Sequence, residues 1–241
     1  MPLSSAQLTI LFDNIPGVAN TRPLWGFAAQ LRTSNGQILL FDTGSNGRVL
    51  LKNMTALNCD PQAFQWLFLS HQHWDHIGGV DSIIELNPQL TCVVHDGFSK
   101  HLTADLAELT AGCLTIDNLP VQFAPHLWST GMFHSEPPEH ALIIETQSGL
   151  HLITGCAHPG IVQLINHVQT VFKQPVQTVI GGFHLGAADE TTIANTVTAL
   201  LSSGIQRILP THCTGIAAMT ALKTAFGTRC LTGGAGCQIQ L

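Results

Sequence analysis

Phe68 to Gly79 reads FLSHQHWDHIGG, with three histidines and an aspartate inside the six residues from His71 to His76. The apolar run before Ser70 reads as a strand, and Gln72 separates His71 from His73. Side chains two apart on an extended backbone project to the same side, so both imidazoles can meet one ligand. Asp75 and His76 follow as the chain turns into a helix entry at Gly78-Gly79. One ion cannot easily use four donors from so short an arc. Two neighbouring ions can, with His71 and His73 on one and Asp75 and His76 on the other. Imidazole together with carboxylate suits zinc, manganese or iron rather than calcium or magnesium.

The stretch is therefore half a site, and the other half must come from elsewhere in the chain. Candidates lie where an apolar run ends in a ligand-type residue beside glycine. LITGCAHPG offers Cys156 and His158, VIGGFHLG offers His184, and LPTHCTG offers His212 and Cys213. A strand-end loop holds such a side chain rigidly and leaves a coordination position open for chemistry.

Composition agrees with a metal site and excludes several other classes. Histidines number 13 against nine Lys plus Arg in the 241 residues, and the formal net charge is -6. So few basic residues argue against a nucleic-acid surface. Hydrophobic residues make up 45 % and charged residues 10 %, the balance of a folded core rather than a disordered chain. The apolar part of the N-terminal stretch, Leu8 to Phe12, is too short for a signal-peptide core or a membrane span. The seven cysteines show no regular spacing, so free thiols in a reducing cytoplasm are expected.

Apolar, β-branched runs recur along the chain, among them QLTILF, FAAQLRT, QILLFDTG, WLFLSH, TCVVHD, VQFAP, ALIIET, LHLITG, TVIGGF and RILPTH. They read as strands, several buried on both faces, with QSG as a tight connection between two of them. Helix-period segments lie between, including GRVLLKNMTAL, GIVQLINHVQTVF, ADETTIANTVTALLSSG and GIAAMTALKTAF. No linker or repeat divides residues 1–241, so one domain is expected, with two packed sheets and helices outside. The Pro- and Gly-broken segment PHLWSTGMFHSEPPEH, with His126, Trp128, Phe133 and His134, reads equally as a lid or as a packed loop.

Taken in order, FDTGSNG, LSHxHxDHxGG, TGCAHPGI, GGFHL and PTHCTG resemble the metallo-β-lactamase superfamily. The resemblance is to the branch of metal-dependent hydrolases that also holds a dihydropterin–ribofuranosylaminobenzene phosphate synthase. It implies an α/β fold, a four-layer αββα sandwich, and two divalent ions, zinc in the first place, with manganese or iron as alternatives. One ion would take His71, His73 and His158; the other would take Asp75, His76 and His212. Asp42 would stand behind the cluster and orient it. Many members place a bridging aspartate where this chain has Cys156, a thiol read as packing beneath the site in preference to ligating. His140 lies where other branches keep a ligand and competes with His158. His184 is a substrate-side or proton-transfer residue, or else structural. His95, His101, His151 and His167 are expected to be simply solvated or hydrogen-bonded.

The implied activity is hydrolysis of a small phosphorylated or ester substrate by a metal-activated water, with Asp75 orienting the nucleophile or accepting its proton. A synthase-like transfer is the alternative, and a di-iron redox or metal-binding protein stands behind both. Arg22, Arg48 and Lys52 are only scattered candidates for holding a phosphate. Gln72 and Trp74 depart from the branch pattern and weaken the transfer of any particular substrate. Neither a nucleic acid nor a membrane is an expected partner, and the sequence does not speak to oligomeric state.

Overall fold

Alternate residues of the long apolar strands serve two different cores, which is why these runs are apolar at nearly every position. The computed structural model describes residues 1–241. Its strands are β1 (Ala6–Phe12), β2 (Ala28–Thr33), β3 (Ile38–Phe41), β4 (Trp66–Phe68), β5 (Thr91–His95), β6 (Gly112–Ile116), β7 (Val121–Ala124) and β8 (Leu127–Ser129). They continue with β9 (Leu142–Thr146), β10 (Gly149–Thr154), β11 (Val176–Gly182), β12 (Arg207–Thr211) and β13 (Gln238–Gln240). One sheet runs β13-β1-β2-β3-β4-β5-β6 and the other β12-β11-β10-β9-β8-β7. The last strand thus returns to pair with the first, Leu8 opposite Ile239.

Ile153, Ile180 and Leu209 point from the second sheet into the layer between the sheets, where they join Leu8, Ile10, Leu31 and Phe68 of the first. Their neighbours Leu152, Val179 and Ile208 face outward. There they pack on α5 (Ile161–Phe172), α6 (Glu190–Ser202) and α7 (Ile216–Phe226). On the far side α1 (Gly47–Ala56), α3 (Val80–Leu86) and α4 (Lys100–Leu109) cover Leu11, Leu40, Leu67 and Val94. The short α2 (Trp74–Ile77) lies between α1 and α3 in sequence. The result is the expected helix-sheet-sheet-helix sandwich. No helix is long and apolar enough to cross a membrane.

Elements outside the sequence expectations are those with little to bury. Only Leu106 of α4 is buried, and edge strand β6 leaves Leu114 40 % exposed. The segment after Pro125 is a packed loop: β8 joins the second sheet, and Phe133 and Glu139 exchange backbone hydrogen bonds at 2.9 and 3.3 Å.

Two of the histidines expected to be solvated or hydrogen-bonded are wholly inside. Burial pushes His95 and His151 down to about 4. Both stay neutral in the folded chain between pH 6.5 and about 4, whereas the unfolded chain takes up their protons there. Folding stability therefore falls with decreasing pH, each histidine contributing about 1.4 kcal/mol per pH unit across that window. Urea midpoints measured from pH 7 to pH 4.5 should show the decline, and His151→Gln should flatten it. A pH-independent difference between the two proteins would contradict this account.

Candidate metal centre

Strand ends from both sheets converge on one edge of the sandwich. β4 delivers His71 and His73, α2 carries Asp75 and His76, β10 leads to Cys156 and His158, β11 to His184, and β12 to His212. Four residues just past strand ends there, Asp42, Ala157, His184 and His212, hold left-handed backbones, with φ between 51° and 58°. Such conformations cost about 1 kcal/mol or more in a non-glycine residue, and the surroundings must enforce them.

The donor atoms of His71, His73 and His158 lie within 4.8 Å of one another, and so do those of Asp75, His76 and His212. Hydrogen bonds assign the tautomers. The Ser70 backbone N–H and hydroxyl both donate to Asp42, each at 2.7 Å. With that hydroxyl proton committed, His71 donates from Nδ1 to Ser70 Oγ at 3.0 Å. His76 donates from Nδ1 to Asp42 Oδ2 at 2.7 Å. One buried carboxylate thereby turns the Nε2 lone pairs of two histidines toward the cluster, as outer partners of metal ligands do. Asn14 does the same for His212, accepting from its Nδ1 at 2.9 Å and donating to its carbonyl at 3.2 Å.

These tautomers leave atoms that only a cation or proton satisfies. His76 Nε2, a lone-pair atom, faces His212 Nε2 at 3.2 Å, and Asp75 Oδ2 lies 3.3 Å from the latter, so a proton or a cation is required between these three atoms. The Nε2 atoms of His71 and His158 are buried without any hydrogen-bond partner. A buried polar group left this way costs about 1–3 kcal/mol, so the residues present fit a metal better than an empty polar cluster. Burial, then the neighbouring imidazoles, depress His71 strongly; burial and His212 take His76 to about 3, and burial and His184 take His158 to about 3. All three are neutral at pH 7, the form that ligates. Burial raises the Asp75 carboxyl, but His212 and His76 together outweigh it and hold it well below the usual range.

Cys156 Sγ lies 3.3 Å from His76 Nε2 and within 4.8 Å of the His71 donor, facing the ligand atoms. His140 stands apart: Ser129 Oγ occupies its Nδ1 at 2.9 Å and the Leu69 carbonyl its Nε2 at 2.9 Å. Between His140 and His158, the structure brings only His158 to the cluster. His184 is exposed at the rim, its ring 4.3 Å from that of His158.

Three supporting residues escaped the sequence reading: Asn14, Ser70 and Glu139. Glu139 is fully buried and accepts five hydrogen bonds of 2.8–3.1 Å, from Thr154 Oγ1 and from the backbone N–H groups of Gly155, Cys156, Ala157 and His158. It holds the whole loop that presents Cys156 and His158. Asn14 had a signal, because Asp13-Asn14 follows an apolar strand just as the other ligand-bearing pairs do. Glu139 had none, since its partners are a hydroxyl 15 residues away and backbone groups 16 to 19 residues away.

An αββα sandwich with a histidine-rich cluster at its strand ends defines a class of metal-binding folds. The family description "Metallo-beta-lactamase superfamily" matches residues 30–170, more than half of the chain, and the chain belongs to that superfamily. It is 29% identical, over 80% of its length and 81% of the relative's, to the 7,8-dihydropterin-6-methyl-4-(beta-D-ribofuranosyl)-aminobenzene-5'-phosphate synthase of Methanocaldococcus jannaschii. Among solved structures it resembles Tm1679, described as a metal-dependent hydrolase of the beta-lactamase superfamily. That likeness has a TM-score of 0.80 and 22% identity over 98% of this chain and 99% of the other. The metallo-beta-lactamase fold protein YhfI from Bacillus subtilis gives 0.71 and 15%, over 99% of this chain and all of the other. At these identities the two structures speak for the fold alone.

Proposed function

We propose that the protein is a dinuclear metal-dependent hydrolase acting on a small ester or phosphoester. The observation that carries this reading is the close approach of the Nε2 atoms of His76 and His212 to each other and to Asp75, beside the orphaned Nε2 atoms of His71 and His158. His71, His73 and His158 would hold one ion and Asp75, His76 and His212 the other, with zinc, manganese or iron matching the donor set. Two such ions lower the pKa of a water and polarise the oxygen under attack. The chain supplies the rest. Asp75 stays ionised and accepts a hydrogen bond from the attacking water, which fixes its approach. His184 stands at the rim beside His158, where its imidazole can return a proton to the leaving oxygen. Its pKa is raised, chiefly by Cys213, which keeps that proton available closer to neutral pH.

The similarity to a protein named as a synthase favours a second reading, transfer between a dihydropterin and a ribofuranosylaminobenzene phosphate. One experiment separates the two. Metal-loaded protein is given 4-nitrophenyl acetate and 4-nitrophenyl phosphate in ¹⁸O-water, and separately the two transfer partners together. Hydrolysis predicts ¹⁸O in the released acid and loss of turnover on chelation. A joined pterin product, with neither ester cleaved, would replace this reading by the transfer one.

A further inference from the structure

Resting on the reading of the cluster as the reactive centre, we propose that the cleft beside His212 is a slot for an uncharged, planar aromatic group of the substrate, with Trp25 as its stacking wall. The cleft has a volume of about 750 Å³, in the range of small-molecule sites. His184, His212 and Cys213 are part of its lining, so whatever fills it lies against the histidine cluster. None of its lining residues is Lys, Arg, Asp or Glu. Its ionisable groups are His184, His212 and Cys213, beside the cluster, and the rest of its lining is uncharged.

Two large apolar side chains from distant parts of the chain flank this one opening. Trp25 is 47% exposed and Ile216 is 81% exposed. Single exposed apolar residues are ordinary, but two across a cleft at a ligand cluster make a binding wall. The indole is placed firmly. Its ring lies 5.0 Å from the His212 ring at 54°. Gly26 beside it has φ +135°, and a Cβ there would come within 2.5 Å of the Asp75 carbonyl. Only glycine allows so close an approach, and Phe27 N–H then bonds that same carbonyl at 3.2 Å. The loop bearing Trp25 is thus pinned to the residue that carries a candidate ligand.

Two glycines also line the cleft. Gly186 and Gly215 pass so close that a Cβ on Gly215 would meet Gly186 Cα at 2.5 Å. The glycines leave room beside the indole, and a flat π-surface stacks on an indole face better than a puckered alkyl ring does. A second cleft, lined by His134, Ser135, Glu136 and Gln163, opens on the His158 side and leaves room for a polar arm.

The test is binding to the zinc-loaded full chain, read by NMR without turnover. Acetophenone is the planar probe and cyclohexyl methyl ketone the non-planar one of similar size, ketones with no bond for a hydrolase to cleave. The Trp25 indole N–H resonance, assigned by its absence in Trp25→Phe, should shift with the planar probe. The affinity should exceed that for the cyclohexyl ketone, fall about ten-fold in Trp25→Ala, and largely persist in Trp25→Phe. Ile216→Glu, a change at an exposed position, should weaken it as well. Equal affinity for the two probes, or unchanged affinity in both Trp25→Ala and Ile216→Glu, would overturn the proposal. Aromatic binding without hydrolysis of any ester would instead count against the hydrolase reading and leave the slot standing.

Discussion

Glu139→Ala is expected to abolish the folded metal site and to bring the protein close to unfolding at 37 °C. The carboxylate is fully buried and serves four backbone N–H groups and one hydroxyl. Alanine leaves these donors without their acceptor where water has little access. At about 1–3 kcal/mol for each unsatisfied group, and allowing for local relaxation, the loss is on the order of 5 kcal/mol. That is a large part of the total stability of about 5–15 kcal/mol that a domain commonly has. Thr154 Oγ1 also accepts from the Ala157 N–H at 3.0 Å, so that donor loses least. Glu139→Gln should fall between. Its carbonyl oxygen replaces Oε1, which takes four of the five bonds, but its amide N–H confronts the His158 N–H that Oε2 accepts. The expected order of denaturant midpoints is wild type, Gln, Ala, with metal affinity following the same order. An alanine variant as stable as wild type would show that the loop from Gly155 to His158 holds its shape without this residue.

Glu139 also shows where sequence reading stopped. The donors themselves were legible, because His71, His73, Asp75 and His76 are crowded into one short arc, and four ligand-type side chains rarely fall so close together by chance. His158 and His212 were legible by their position at strand ends beside glycine. The fold followed from apolar runs whose length and β-branching fit strands between two layers. The supports were hidden for a physical reason. Glu139 bonds backbone amides, which any residue supplies, and Asn14 reaches His212 across 198 positions. Neither contact leaves a periodic or compositional trace. Ser70 was overlooked because its role, passing the Asp42 charge to His71 through a hydroxyl, exists only once the third dimension is known. The Cys156 thiol lies against His76, a placement that residue type alone did not give.

These side chains form a built cation site, and titration of metal-free protein with zinc chloride tests this most directly. Calorimetry and thermal melting are followed together at pH 7. The facing nitrogens of His76 and His212 and the orphaned nitrogens of His71 and His158 are the groups that binding would satisfy. Ions that bind only the folded chain stabilise it by about 4 kcal/mol at a thousand-fold excess over the dissociation constant. For a chain of this size that corresponds to a rise in melting temperature of about 10 °C. Uptake of about two equivalents is expected, falling to about one in His212→Ala while His71, His73 and His158 keep their ion. A melting temperature that zinc leaves unmoved, with no heat of binding, would contradict the account.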